Sequence, residues 1–298
     1  MMPRKNKPKR PKYQYFAFWY LVPTLIVITA FHVIPIFFSL GLSFFSWDLI
    51  STAKFEGLRN FRILWNDPLY WLSIRNTIYY TIVAVPLNII LALTIAILLN
   101  QKIRGMDAYR LIYFIPVITS INAVSIVWKL IYHPNIGLLN AFIGLFGIPP
   151  QRWLLDPKWA MLSIIVMSVW KGLGYNVIIF LTGLKNIPPH LYEAATVDGA
   201  NRMHQFRHIT LPLLSPVTFF VSVMSIIGSF QVFAQIYMMT PGGGPMNSTL
   251  TIVYYLYKVG FGDFHFGYAS AIAFELFIMI FLLTLFQKLV VEKRVHYQ

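Results

Sequence analysis

Six stretches of this chain are apolar for the length a helix needs to cross a lipid bilayer: approximately residues 17–41, 76–99, 111–131, 160–183, 212–236 and 268–287. A hydrocarbon core of about 30 Å takes about 20 such residues per helix. None of the runs alternates polar and apolar positions as a barrel strand does, and a helix satisfies its own backbone hydrogen bonds in lipid. The sequence therefore predicts an all-α integral membrane protein with six transmembrane helices. Composition agrees, with 57% hydrophobic and 11% charged residues, where soluble domains are about half apolar and about a quarter charged.

The net charge of +14 raises the possibility of nucleic-acid binding, but its distribution speaks for topology. Arg4, Lys5, Lys7, Lys9, Arg10 and Lys12 crowd the N-terminal tail. Lys102, Arg104 and Arg110, then Lys185, Arg202 and Arg207, and finally Lys288, Lys293 and Arg294 fall on the same side of the membrane. The alternate loops are longer yet hold only Lys54, Arg59, Arg62, Arg75, Lys129, Arg152, Lys158 and Lys258. Positive charge marks the cytoplasmic side, so both termini are expected there and no nucleic acid is expected as a partner. Residues 1–12 read as a basic cytosolic tail and residues 13–298 as one membrane domain. The first run lacks a small-residue cleavage site and is expected to be retained. Without cysteine there is no disulfide, thiolate metal site or cysteine nucleophile.

The outer loops carry Trp47, Phe55, Phe61, Trp65, Tyr70, Trp71, Trp153 and Trp159, side chains that suit the headgroup level. They serve either as anchors for the helices or as a surface for a soluble partner. Asp67-Pro68 and Asp156-Pro157 mark turns before the second and fourth spans, and residues 242–245, Gly-Gly-Gly-Pro, break the chain after the fifth. Pro23, Pro35, Pro86 and Pro116 lie in or near spans, where kinks are expected. No repeat relates the two halves, which weakens an inverted-repeat carrier architecture.

Between spans four and five, on the predicted cytoplasmic side, residues 187–216 read IPPHLYEAATVDGANRMHQFRHITLPLLSP. Pro188-Pro189 can open a short helix, Gly199 after Asp198 can end it, and a second helix would run through Met203 and Phe206 to Ile209. Pro212 would begin the fifth membrane helix. From composition alone this is either a knob with apolar faces (Leu191, Ala194, Ala195, Val197) and charged flanks presented to a partner or an amphipathic loop lying on the membrane surface.

The spacing Glu193-Ala194-Ala195, three residues, Gly199, nine residues, Ile209, one residue, Leu211-Pro212 resembles the EAA signature of ATP-binding cassette (ABC) importer permeases. The wider strings EAATVDGA, FRHITLPLL, GLRNF at 57–61, RNT at 75–77 and GGGP at 242–245 resemble the carbohydrate and glycerol-phosphate branch, in the manner of a maltose-type first permease. The resemblance covers about residue 18 to the end and implies a type I importer permease fold in a bacterial cytoplasmic membrane. It implies that the 184–211 loop couples to an ATPase subunit: Glu193 faces a basic residue there, Ala194 and Ala195 permit close approach, and Asp198-Gly199 make the turn. It also implies two ATPase subunits, a second homologous permease and an extracytoplasmic solute-binding protein. The dipeptide Gly-Lys of a phosphate-binding loop is absent, so ATP and Mg are expected on the partner subunits and no cofactor on this chain.

Ionisable residues within spans are costly and functional by default. Two occur: Lys171 in the middle of span four and Glu275 in span six. Lys171 and Tyr175 lie four apart and share a helix face, with Gly172 beside them; Ser225 and Ser229 repeat that spacing in span five. Resemblance to maltose-type permeases implies that Gly172, Tyr175, Ser225 and Ser229 line the sugar path, with Lys171, Asn176, Gln231 and Glu275 as further candidates. For the serines the alternative is a bond to their own helix, and for Lys171 a pairing with an acid such as Glu275 or contact with the partner permease. His32, His133 and His265 show no metal-ligand spacing.

The expected function is a permease subunit that imports a sugar, oligosaccharide or related polyol and catalyses no covalent step. Two rivals are distinguishable. An ion-coupled carrier would use Lys171 and Glu275 as a relay, and its uptake would follow the ion gradient rather than ATP. A membrane-embedded enzyme would need acid, base or metal ligands clustered on one cavity.

Overall fold

The structure, a computed structural model, describes residues 13–101, 113 and 115–294; the expected basic tail and most of the 102–112 loop lie outside these. Helix α1 (Tyr13–Ile28) continues through a wider π-type turn at Thr29–Val33 into α2 (Ile34–Leu42). A two-residue ribbon follows, β1 (Phe45–Ser46) antiparallel to β2 (Lys54–Phe55), with Phe45 opposite Phe55. Next come α3 (Arg59–Asn66) and the long α4 (Pro68–Leu99), then α5 (Ile121–Ile131), α6 (Leu138–Gly144) and α7 (Pro157–Lys185). Beyond α7 lie α8 (Pro189–Val197), α9 (Arg202–Gln205), α10 (Leu211–Leu213), α11 (Ser215–Phe230), α12 (Ala234–Met239), α13 (Ile252–Tyr257) and α14 (Phe266–Phe286).

Four helical runs among the described residues are long and apolar enough to span a bilayer: Trp19–Leu42, Pro68–Leu99, Pro157–Lys185 and Phe266–Val291. Arg202–Leu213 and Ser215–Phe230 make a fifth if counted together across their 62° bend. The expected third span is interrupted. Its described part turns at Ser120, whose ψ of 135° leaves the helical range, and restarts as α5.

The helix starts follow local chemistry. Asp67 precedes α4 and accepts from the Leu69 N–H at 2.8 Å, while Asp156 does the same for Lys158 ahead of α7 at 2.9 Å, each with proline at the first helical position. Hence α4 begins eight residues before the apolar run at 76, and its first turns carry Tyr70, Ser73 and Asn76 into the core. Tyr70 is only 2% exposed, so it is a core residue rather than an interface anchor. The helix continues through Pro86.

Helix α4 packs along α7. Most of its buried residues, among them Ser73, Thr77, Thr81, Ala84, Asn88, Ala92 and Ala96, are small or polar, with Tyr70, Tyr80, Val85 and Leu99 beside them. In lipid, apolar area alone does not drive helices together, and small residues let two backbones approach. The core has two parts. One gathers Tyr80, Ile164, Ile165, Met167, Ile236, Ile252 and Ile272. The other gathers Ala92, Ala96, Leu99, Val177, Phe180, Leu184 and Leu214 at the end of α4 and α7 nearest α8. By contrast, the apolar window of Trp19–Leu42 buries none of its residues in this chain.

The fifth expected span departs from its predicted 212–236 limits. Pro212 stands in the three-residue α10, the membrane helix proper starts after Leu214, and it stops at Phe230 because Gln231–Phe233 leave helical geometry before α12. The second elbow helix likewise continues past Ile209 to Leu213 through a π-type turn at Phe206–Thr210.

The Gly-Gly-Gly-Pro break is a tight loop with positive φ at Gly242, Gly243, Gly244, Met246 and Asn247. Side chains from elsewhere hold it. Asn76 Nδ2 donates to the carbonyls of Asn247 (2.9 Å) and Leu250 (3.0 Å), Thr240 and Thr249 hydroxyls pair at 2.8 Å, and the Gly242 N–H donates to Tyr254 Oη at 2.6 Å. Asn60 ties α3 to the ribbon in the same manner, through the carbonyls of Ser43 and Phe45.

Candidate functional site

The chain leaves α7 at Asn186, buries Ile187, and passes through extended Pro188 into Pro189, the first residue of α8. On the inner face of α8, Leu191 and Tyr192 pack against the core that joins the ends of α4 and α7. Tyr192 Oη also meets Thr210 Oγ1 at 3.0 Å. On the outer face Glu193, Ala194 and Val197 are exposed, while Ala195 is half-buried. The apolar residues of α8 fall on different sides: Leu191 packs inward, while Ala194 and Val197 are exposed. Glu193 makes no ion pair among the described residues.

Asp198 closes α8, and Gly199 then turns the chain at φ +77°. The Gly199 N–H donates to the Thr196 carbonyl (3.1 Å) and the Ala200 N–H to the Ala195 carbonyl (2.9 Å), the paired bonds of a Schellman stop. Asn201 Oδ1 accepts from the His204 N–H at 2.8 Å and so starts α9. Gln205 Nε2 reaches back to Thr196 Oγ1 at 2.9 Å. The two short helices are therefore braced as one elbow, seated on the membrane helices at one side and open at the other.

Deeper in the bundle, a cleft of about 210 Å³ runs between α4, α7 and α11. Of the eight expected pathway residues it brings together four, Gly172, Asn176, Ser225 and Ser229, and adds Tyr80, Asn88 and Ser168. Asn176 Nδ2 donates to Asn88 Oδ1 at 2.6 Å and lies 3.5 Å from Ser225 Oγ. Ser229 Oγ is 2.9 Å from Thr81 Oγ1 and 2.8 Å from its own helix carbonyl at Ile226. A Cβ at position 172 would sit 3.1 Å from Asn88 Nδ2, so glycine leaves room for that amide.

The other four lie elsewhere. Tyr175 is 52% exposed and does not line the cleft, so the expected Lys171–Tyr175 wall is not formed. Lys171 turns away to backbone carbonyls of the 116–119 segment, and it makes no ion pair with Glu275. Gln231 is exposed just beyond the end of α11. Glu275 is half-buried on α14, close enough to Tyr70 to act on it electrostatically. Asn88 and Thr81 were missed by reading charges first. The legible signal was Ser73, Thr77, Thr81 and Asn88 recurring on one face of an apolar run. Among the described residues no three potential metal ligands come together.

The model of the family described as "Binding-protein-dependent transport system inner membrane component" matches residues 76–296. The chain is 40% identical over 94% of its length to a probable ABC transporter permease protein, YesP, of Bacillus subtilis, of which it covers 91%. It is 37% identical over 90% of its length to the lactose transport system permease protein LacF of Rhizobium radiobacter, again covering 91%. Its fold is that of a chain in the crystal structure of a bacterial ABC transporter involved in the import of the acidic polysaccharide alginate, with a TM-score of 0.83, 23% identity, and 95% and 96% of the two chains covered. The interrupted bundle with a braced elbow between its fourth and fifth apolar runs thus belongs to a transport subunit rather than an enzyme, and the chain is a member of the binding-protein-dependent transport system inner membrane component family.

Proposed function

We propose that this chain is one of two permeases that together enclose a path for an oligosaccharide, sugar or related polyol, handed over by an extracytoplasmic binding protein and driven by two separate ATPase subunits that carry ATP and Mg. It crosses a bacterial cytoplasmic membrane six times with both termini inside, residues 1–12 being a cytosolic tail and 13–298 the membrane domain. The observation that carries this reading is the elbow. Leu191 and Tyr192 lock α8 to the core at the ends of α4 and α7, while Glu193, Ala194 and Val197 stay open. A partner that grips the open face moves the membrane helices with it, and Asp198-Gly199 keeps the face in one orientation.

The solute class is supported by relatives whose names give lactose, arabinooligosaccharides and trehalose/maltose, and by the walls of the cleft. Tyr80, Asn88, Asn176, Ser225 and Ser229 offer neutral donors and acceptors with no charge, which suits a hydroxyl-rich molecule. The test uses the absence of cysteine. An Ala194→Cys variant, expressed with the subunits encoded beside it, is expected to cross-link to the nucleotide-hydrolysing subunit and to be shielded from impermeant thiol reagents added outside the cell. Labelling from outside, with no cross-link, would overturn the assignment.

A further inference from the structure

Three backbone carbonyls converge on one half-buried side chain of an apolar helix. Lys171 Nζ donates to the oxygens of Pro116 (2.7 Å), Thr119 (2.8 Å) and Val117 (3.3 Å). These carbonyls belong to the turn at which the third apolar run breaks, just before Ser120 and the start of α5. Carbonyls in the last turn of a helix have no N–H to accept from, and in lipid each unpaired group costs several kcal/mol. An ammonium supplies three donors and no acceptor, and its charge suits the negative end of a helix. The match is one donor per orphaned oxygen, which leaves Lys171 nothing to offer a solute.

A second observation, independent of the first, locates the same joint. Gly174 lies three residues further along α7, on the same face. A Cβ there would fall 1.9 Å from the Tyr113 carbonyl oxygen and 2.7 Å from Val117 Cγ2. Tyr113 and Val117 thus lie against α7 at a distance only glycine allows, and the carbonyls of Pro116, Val117 and Thr119 are gripped by Lys171. Next to the joint, Ser168, Gly172 and Asn176 of α7 form a wall of the cleft. On its far side α5 packs on α12, whose Gln235 Nε2 reaches Ser168 Oγ at 3.4 Å.

We infer that Lys171 is a positioning residue: its side chain is the internal cap of the interrupted third membrane segment and fixes the angle at which α5 leaves α7 beside the cleft. Loss of the cap alters the geometry of the wall for every solute alike, whereas loss of a solute ligand changes which solute is preferred.

The cysteine-free chain allows a direct measurement. Spin labels are placed through Leu130→Cys on α5 and Ile178→Cys on α7, both at exposed positions, in the full chain assembled with its partner subunits in lipid discs. The interlabel distance distribution is read by pulsed double resonance. A single narrow distance is expected in the native background and with Lys171→Arg, which keeps charge and donors. With Lys171→Met that peak is expected to be lost. If the methionine variant fails to accumulate, Lys171→Gln, neutral and shorter, is expected to broaden the peak while arginine restores it. An unchanged peak in the methionine or glutamine variant, or failure of arginine to restore it, overturns the proposal and returns Lys171 to the candidates for solute contact.

Discussion

Asn176 and Asn88 face each other across α7 and α4, with the Asn176 amide donating to Asn88 Oδ1 at 2.6 Å and Asn88 donating in turn to the Val169 carbonyl at 3.1 Å. The relay crosses the two longest helices twice, at the wall of the cleft. Side-chain hydrogen bonds between membrane helices average about 0.6 kcal/mol and reach about 1.7. Asn88→Leu is therefore expected to lower stability by about 1 kcal/mol, and Asn176→Leu by a similar amount. The double variant should lose less than the sum, because each single change already breaks the shared bond. Unfolding of the purified chain in mixed micelles measures this, and strictly additive losses would show that the two amides are not coupled.

Gly199 stands at φ +77° with open space where a Cβ would go, so substitution there strains the backbone and touches no neighbour. A left-handed conformation costs an ordinary L-residue roughly 1–2 kcal/mol, and asparagine adopts it more readily. Gly199→Leu should reduce ATP-driven uptake relative to ATP hydrolysis, whereas Gly199→Asn should keep most of the coupling. The ratio of solute moved to ATP consumed is the readout. A leucine variant with the native ratio would show that the elbow turn does not transmit the stroke.

Asn76 holds the glycine loop through two carbonyls, those of Asn247 and Leu250. Asn76→Ala leaves both without that donor, for an expected loss of about 1–3 kcal/mol. The strained stretch at 242–247 should then become the preferred site of limited proteolysis in the purified chain. Equal cleavage rates in native and variant chains would deny the tie its role.

Asp48 receives the N–H groups of Ile50 and Ser51 and the Ser51 hydroxyl at 2.7–3.0 Å. These bonds, that from the Ser51 N–H foremost, pull its carboxyl from 3.8 down to about 2. A depressed value means that the folded loop favours the charged form. Its contribution is whole above 3.8 and is lost as pH falls through about 2. Hydrogen exchange at the Ser51 amide should stay slow, relative to the chemical rate at each pH, from neutral pH to below 3.8. In an Asp48→Ala variant it should be fast throughout. Loss of protection already well above 3.8 in the native chain would contradict the assignment.

Much of this was legible from residue order. The apolar runs located the helices at 19–42, 68–99, 157–185 and 266–291 within a few residues, apart from the early start of α4. That start was hidden because Tyr70, Ser73 and Asn76 are neither apolar enough for lipid nor charged enough for water; they are buried against other parts of this chain. Pro188-Pro189 and Asp198-Gly199 predicted the elbow and its glycine stop, but not that Leu191 would turn inward while Val197 stays out, since that division is set by the ends of α4 and α7. Pro116 marked a kink near the break before α5, but not that the chain would leave helical geometry there. The carbonyls freed there are satisfied by Lys171, more than fifty positions away, a pairing that residue order does not display.

The seating of α8 on the ends of α4 and α7 carries a mechanical corollary. Helix α4 has 32 residues and at 1.5 Å per residue is about 48 Å long. A rod of that length amplifies small rotations: a tilt of about 5° about the elbow end would sweep the opposite tip by roughly 4 Å. On the proposed reading, a partner that shifts the elbow only slightly would displace the far end of α4 by several ångströms.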